Sequence, residues 1–201
     1  MPLQIIYSSN YKKENTKWLV IHHCGGIGFD VLASTKHHTA EMINQAHKAR
    51  WNFIDPLTGK YGGYNFFITS SGEITQFRAL GSETCAQLGF NFNGVAISIC
   101  LAGNFTKGVD LPTREQENAL RELYKQLPQV APYNIVGHRS LTGFTECPGN
   151  ALKDDWARNI ILDRNTQLSI MLQMLSIMMD ILRKMKNPVG KLQGWETTDK
   201  G

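Results

Sequence analysis

Trp18-Leu19-Val20-Ile21-His22-His23-Cys24 runs four large apolar side chains straight into two histidines and a thiol. Four such residues in a row leave no solvent face, so residues 17–23 read as a strand buried on both sides, with polar chemistry at its end. Val95 to Leu101 is a second near-continuous apolar run and reads as a central strand. Tyr133-Asn134-Ile135-Val136-Gly137-His138-Arg139 supplies a last strand over Asn134 to Gly137, which again delivers a histidine. Tyr64 to Thr69 and Glu73 to Phe77 form a hairpin around Ser70-Ser71-Gly72.

Helices separate these strands. Thr35 to Arg50 reads as one, with Met42, Ile43 and Ala46 on its inner face. A second opens at Pro112-Thr113, where Thr113 and Gln116 have capping-box spacing. Its apolar stripe is Ala119, Leu120, Leu123, Tyr124 and Leu127. Strands alternating with helices, plus one hairpin, predict an α/β fold with a mixed central β-sheet flanked by helices.

The C-terminal part has a different pattern. Helix begins near Asn150 and extends almost to Lys186, which would span about 55 Å at 1.5 Å per residue. A domain of about 150 residues is only about 40 Å across. The helix therefore breaks near Arg164-Asn165-Thr166 or projects, and the expected division is a domain over 1–160 and a helical extension and tail over 161–201. Leu168, Leu172, Leu175, Met179 and Leu182 recur with four-then-three spacing. Residues 166–186 are thus expected to form an extra apolar helix that mediates homo-oligomer formation or docks on an assembly partner, with packing back on the sheet and binding to a membrane surface as the alternatives. Gln173 and Asp180 interrupt the run and argue against a transmembrane span.

Composition narrows the function classes. With 201 residues and 42% hydrophobic content, the chain can bury a real core. The net charge of +4 is mild, and neither blocks of like charge nor basic-aromatic alternation mark a nucleic-acid groove, so no nucleic-acid partner is expected. The first residues, Met1 to Asn10, lack a basic segment followed by a long apolar one, so synthesis in the cytoplasm without a signal peptide is the expectation. Cys24, Cys85, Cys100 and Cys147 are not spaced as a small disulfide scaffold.

Cys147 lies in Thr145-Glu146-Cys147-Pro148-Gly149. His23, His138 and Cys147 together offer two imidazoles and a thiolate, which suit Zn²⁺ and leave a fourth position open, the pattern of a catalytic zinc. More than a hundred residues separate the first ligand from the other two, so the fold and not a local finger must assemble the site.

Ile-His-His-Cys at 21–24, Gly-Gly-Tyr-Asn-Phe-Phe-Ile at 62–68, the stretch from Gly89 to Phe105, and Gly-His-Arg followed by Thr-Glu-Cys-Pro-Gly occur in this order. Together they resemble the zinc N-acetylmuramoyl-L-alanine amidases, a family that includes phage endolysins and the catalytic peptidoglycan recognition proteins. The resemblance covers roughly residues 17–157. It implies one Zn²⁺ per chain held by the second histidine of the pair, His23, with His138 and Cys147. It implies catalytic roles for Tyr64 and for Thr145, the latter where some relatives carry lysine. It places Cys85 where many relatives have a substrate-contacting histidine. Asn91 and Asn93 read as loop residues near the groove, and turn propensity accounts for them equally well. The implied substrate is bacterial peptidoglycan, cut after the protein is released or delivered to the wall. A non-catalytic peptidoglycan-binding module and a virion or injection-apparatus component are the alternatives. His37, His38 and His47 read as exposed histidines on or beside the first helix.

Overall fold

The computed structural model describes residues 3–86, 92–162 and 164–186, with side chains of the last helix described from 171 to 183. Five strands form one mixed sheet in the order β3-β2-β4-β1-β5. They are β1 (Trp18–His23), β2 (Phe66–Ile68), β3 (Ile74–Gln76), β4 (Ala96–Leu101) and β5 (Ile135–Gly137). β1 lies between β4 and β5 and runs parallel to both, β2 is parallel to β4, and only the β2–β3 hairpin is antiparallel. The mixed sheet expected from the sequence is therefore present.

The two faces of the sheet are filled differently. Leu19, Ile21, Ile97, Ile99, Phe66 and Ile68 pack in one cluster with Leu120, Leu123, Tyr124 and Leu127 of α2 (Arg114–Gln126) and with Ala157 and Ile161 of α4 (Trp156–Leu162). Each fully buried Leu or Ile here contributes roughly 1.5–3 kcal/mol. On the other face, Phe67, Phe77, Cys100 and Ala102 pack with Ile43 of α1 (Ala40–Trp51), while Val20 sits with Ala96 and Val136. Successive strand residues alternate between faces. Val20 and His22 therefore belong to the α1 face, whereas Leu19, Ile21 and His23 belong to the face closed by α2 and α4.

Local chemistry sets the helix ends. Thr113 caps α2 with a complete capping box, and the Gln116 side chain is buried, where its amide donates to the carbonyls of Ile68 and Ala102 at the strand ends. Thr39 caps α1, accepting from the Met42 N–H at 3.2 Å. That start lies five residues beyond the expected one, so His37 and His38 precede the helix. Of the three residues expected inside, only Ile43 is buried; Met42 and Ala46 are exposed, because the cluster on this face is small. A short helix, α3 (His138–Thr142), follows β5 directly. The expected helix from Asn150 is two helices, α4 and α5 (Arg164–Lys186). By its internal contacts the chain divides into two units, residues 1–162 and 163–201.

Asp110 fastens the segments that leave β1 and β4. Its carboxylate accepts from the Ser34 hydroxyl at 2.8 Å, the Thr35 N–H at 3.2 Å and the Asn104 N–H at 2.8 Å. Burial alone would raise its pKa; the hydrogen bonds from Asn104, Ser34 and Thr35 outweigh it and hold the group below its ordinary value. A depressed folded pKa gives stability that is present above the unfolded value and is lost as pH falls through the folded one. Asp110→Ala should cost about 2–4 kcal/mol at neutral pH by orphaning buried donors. In urea unfolding, the gap from the parent protein should narrow below about pH 4, near the ordinary aspartate value.

Candidate metal centre and groove

The site forms where β1 and β5 end side by side. Among the described residues, His22, His138 and Cys147 form a group whose ligand atoms all lie within 4.8 Å of one another. His22 Nδ1 is 3.6 Å from Cys147 Sγ, and the His22 and His138 ring centres are 4.7 Å apart. His138 Nε2 is buried and finds no hydrogen-bond partner among the described residues. An orphaned imidazole nitrogen beside a second imidazole and a thiol is the donor set of a zinc site with an open fourth position.

His22, and not the expected His23, is therefore the β1 histidine that the fold groups with His138 and Cys147. The reason is the alternation of β1. His22 faces the open side with Val20, and its strand partner there is Cys100. His23 instead turns with Leu19 and Ile21, and its Nδ1 accepts the Phe105 N–H at 3.0 Å. That bond leaves the His23 proton on Nε2, and burial, reinforced by Arg139, lowers its pKa to about 4. His23 contributes to the site in another way, since its backbone N–H bonds the Cys147 sulfur.

Burial governs the protonation of all three cluster residues. It holds His22 well below the ordinary imidazole value, with His138 and His23 adding repulsion, and it lowers His138 as well. Both rings are thus neutral, the form that ligates metal. Burial pushes the Cys147 thiol up to about 12, against the opposing effects of the His23 N–H and Arg139. Without a cation the sulfur keeps its proton, and a coordinating divalent metal would ionise it.

The loop that presents Cys147 is tightly held. Its carbonyl accepts the Arg139 N–H at 2.7 Å, and its own N–H donates to the Thr145 hydroxyl at 3.1 Å. The Arg139 guanidinium donates to the carbonyls of Gly149 and Leu152 and pairs with Asp154 at 2.7 Å. Gly149 has a φ of 106°, and a Cβ there would lie 2.2 Å from the Phe105 carbonyl oxygen, so no other residue fits. Thr145 thus holds the ligand loop and is not among the residues that line the groove.

The cluster lies in a groove of about 530 Å³, whose walls include Tyr64, Trp51, Arg50, Cys85, Asn93, Cys24 and His23. Tyr64 packs its ring 5.2 Å from that of His22. Burial raises its pKa well above the phenolic value, and the thiols of Cys100, Cys147 and Cys24 add to this, so the hydroxyl remains a donor. The next residue, Asn65, is bound to β4 through Ser98, which fixes where Tyr64 starts. Behind Tyr64, His47 Nδ1 accepts the Gly63 N–H at 2.8 Å, and its ring lies 5.5 Å from Tyr64 and 4.5 Å from Trp51. His47 is therefore half-buried and structural, where an exposed residue was expected. Buried Arg78 donates to the Gly62 carbonyl at 2.7 Å and holds the same loop. Cys85 donates its N–H to Gly63, and Asn93 accepts from the Thr84 hydroxyl at 3.1 Å. Asn91 lies outside the described residues.

Sequence reasoning missed His22, His47, Arg139 and the thiols of Cys24 and Cys100 as parts of this site. For His22, strand alternation separates the two histidines but does not say which one faces the groove; that follows only from the helices that close the other face. For His47 and Arg139 the roles come from tertiary contacts, which periodicity does not carry.

Residues 12–150 match the profile of a family described as N-acetylmuramoyl-L-alanine amidase. Solved structures agree. The N-acetylmuramoyl-L-alanine amidase LysC from Clostridium intestinale URNW is 26% identical, with a TM-score of 0.54 over 81% of this chain and 98% of that one. An endolysin amidase of the same organism, LysCS, is 25% identical, with a TM-score of 0.52 over 82% and 97%. The Drosophila peptidoglycan recognition protein SD is 26% identical, with a TM-score of 0.52 over 75% and 83%. No curated protein sequence matches the chain.

His22→Ala should reduce zinc from about one per chain to under about a tenth, because two remaining ligands do not hold the ion. His23→Ala should stay loaded, since its backbone N–H survives the change. Elemental analysis of the dialysed proteins reads both, and equal loss in the two variants would contradict the assignment.

Proposed function

Because the chain belongs to the N-acetylmuramoyl-L-alanine amidase family, we propose that it is a zinc-dependent peptidoglycan hydrolase that cuts the amide bond between N-acetylmuramic acid and L-alanine. The observation that carries this reading is the cluster of His22, His138 and Cys147, with its orphaned Nε2, on the floor of an open groove beside Tyr64. His22, His138 and Cys147 would hold one Zn²⁺. When bound, zinc supplies Lewis acidity that lowers the pKa of water to near 7 and polarises a carbonyl.

The chain's own residues do the rest. Attack on an amide carbonyl builds negative charge on its oxygen, and a fixed donor aimed at that charge lowers the barrier. Tyr64 is that donor, since its phenol stays protonated and its ring packs against that of His22. Thr145 acts on the ligand loop by accepting the Cys147 N–H, and its contribution to the reaction is positional. Trp51, Arg50, Cys85 and Asn93 line the groove that receives the glycopeptide. A phage or prophage endolysin is the setting we favour, supported by the likeness to LysCS. In that setting the protein reaches the wall after release from the cytoplasm.

Mass spectrometry of wall digests tests the reading. The expected products are free L-alanine amino termini and intact glycan strands, with the reaction abolished by a chelator and restored by Zn²⁺. Tyr64→Phe should lower kcat roughly 10²-fold, the magnitude of a lost oxyanion donor, at unchanged zinc content. New reducing ends without new amino groups would contradict amide cleavage. Wall binding without any product would make the chain a recognition module.

A further inference from the structure

We infer that α5 assembles the protein into a homo-oligomer of more than two chains. From Met171 to Leu182 the helix carries nine large apolar side chains, each between 50% and 61% exposed. The three other positions in that stretch are Gln173, Ser176 and Asp180. Together with Arg183 after them, they recur at three-then-four spacing and form one narrow polar ridge. At about 100° per residue, the apolar surface covers roughly three quarters of the circumference.

That width selects the occupant. A two-stranded coiled coil buries only a narrow seam, and two helices would leave much of this surface in water. Closing it takes neighbours on both flanks, which identical copies arranged around an axis provide, each offering the surface it needs covered. Nine half-exposed Leu, Ile and Met side chains amount to about 900 Å² per helix, against about 800 Å² per partner in a stable interface. Methionine side chains adapt to such packing. A lipid surface fits less well. Helices that lie on membranes present a cationic polar face along their length, whereas this ridge pairs Asp180 with Arg183 at 3.5 Å and the further cations, Lys184 and Lys186, come only in the last turn of the helix. No described helix is long and apolar enough to cross a membrane.

The assembly stands on α5 alone, but its consequence rests on the amidase reading. Several grooves carried together on one repeating polymer bind with avidity that no single groove has.

Sedimentation of the full chain, next to a Leu175→Asp, Met178→Asp double variant, tests the proposal. The parent protein should sediment as three or more chains and the double variant as one, a mass ratio of roughly threefold or more. Hydrolysis of a small soluble muropeptide should be equal in the two, which separates failure of assembly from failure of the amidase reading. A monomeric or dimeric parent protein overturns the proposal. So does an oligomer that survives the double substitution. A monomeric parent that binds vesicles of zwitterionic lipid, or one whose double variant loses thermal stability, would place the helix on a membrane or on its own domain instead.

Discussion

Parallel pairing of β1 with strands on both sides is the constraint on which the site depends. A strand bonded on both edges cannot slip, and a slip of one residue would exchange every side chain between faces. β1 is registered against β4 from Trp18 to His23 and against β5 from Leu19 to Ile21. That lock sends His22 to the groove and His23 to the Phe105 backbone. It also sets the end of β5 beside the end of β1, so His138, at the start of α3, meets His22 without any local sequence relation between them. The core closed by α2 and α4 supplies the free energy that keeps the register.

Burial then tunes the chemistry. Two imidazoles kept neutral and a thiol kept protonated are a poor arrangement on their own, because His138 Nε2 has no described partner. The same low polarity that makes this arrangement costly makes a divalent cation favourable, since the cation satisfies all three groups at once. The surrounding bonds are not loose. Arg139, Thr145 and the His23 N–H fix Cys147, while Asn65, His47 and Arg78 fix the start of β2 and with it Tyr64. The site is thus held in place before any ligand arrives, which is what a reaction relying on aimed donors requires.

Much of this was legible in the sequence, and the exceptions have physical reasons. The buried strands, the α2 stripe and the Thr113 capping box announce themselves by pattern, since each is a local property. The participation of His138 and Cys147 was readable because two imidazoles and a thiol suit zinc and because Gly-His-Arg and Thr-Glu-Cys-Pro-Gly resemble the amidase motifs. The choice between His22 and His23 was not settled by the apolar run, because four consecutive apolar residues give no alternation to follow. Only the position of α2 and α4 decides which face is closed. The first helix starts at Ala40 and not at Thr35, because the Thr35 N–H and hydroxyl are bonded to Asp110 and Gly25 instead of opening a helix. His47 sits at a helix position that propensity treats as surface, and only the return of the chain at Gly63 covers it.

The central claim is a zinc centre built on His22, His138 and Cys147. An anomalous difference map at the zinc edge, from crystals of zinc-loaded protein, tests it most directly. One peak per chain is expected, about 2.0–2.1 Å from nitrogens of His22 and His138 and about 2.3 Å from the Cys147 sulfur. A peak bound to His23, or one that does not touch Cys147, would contradict it.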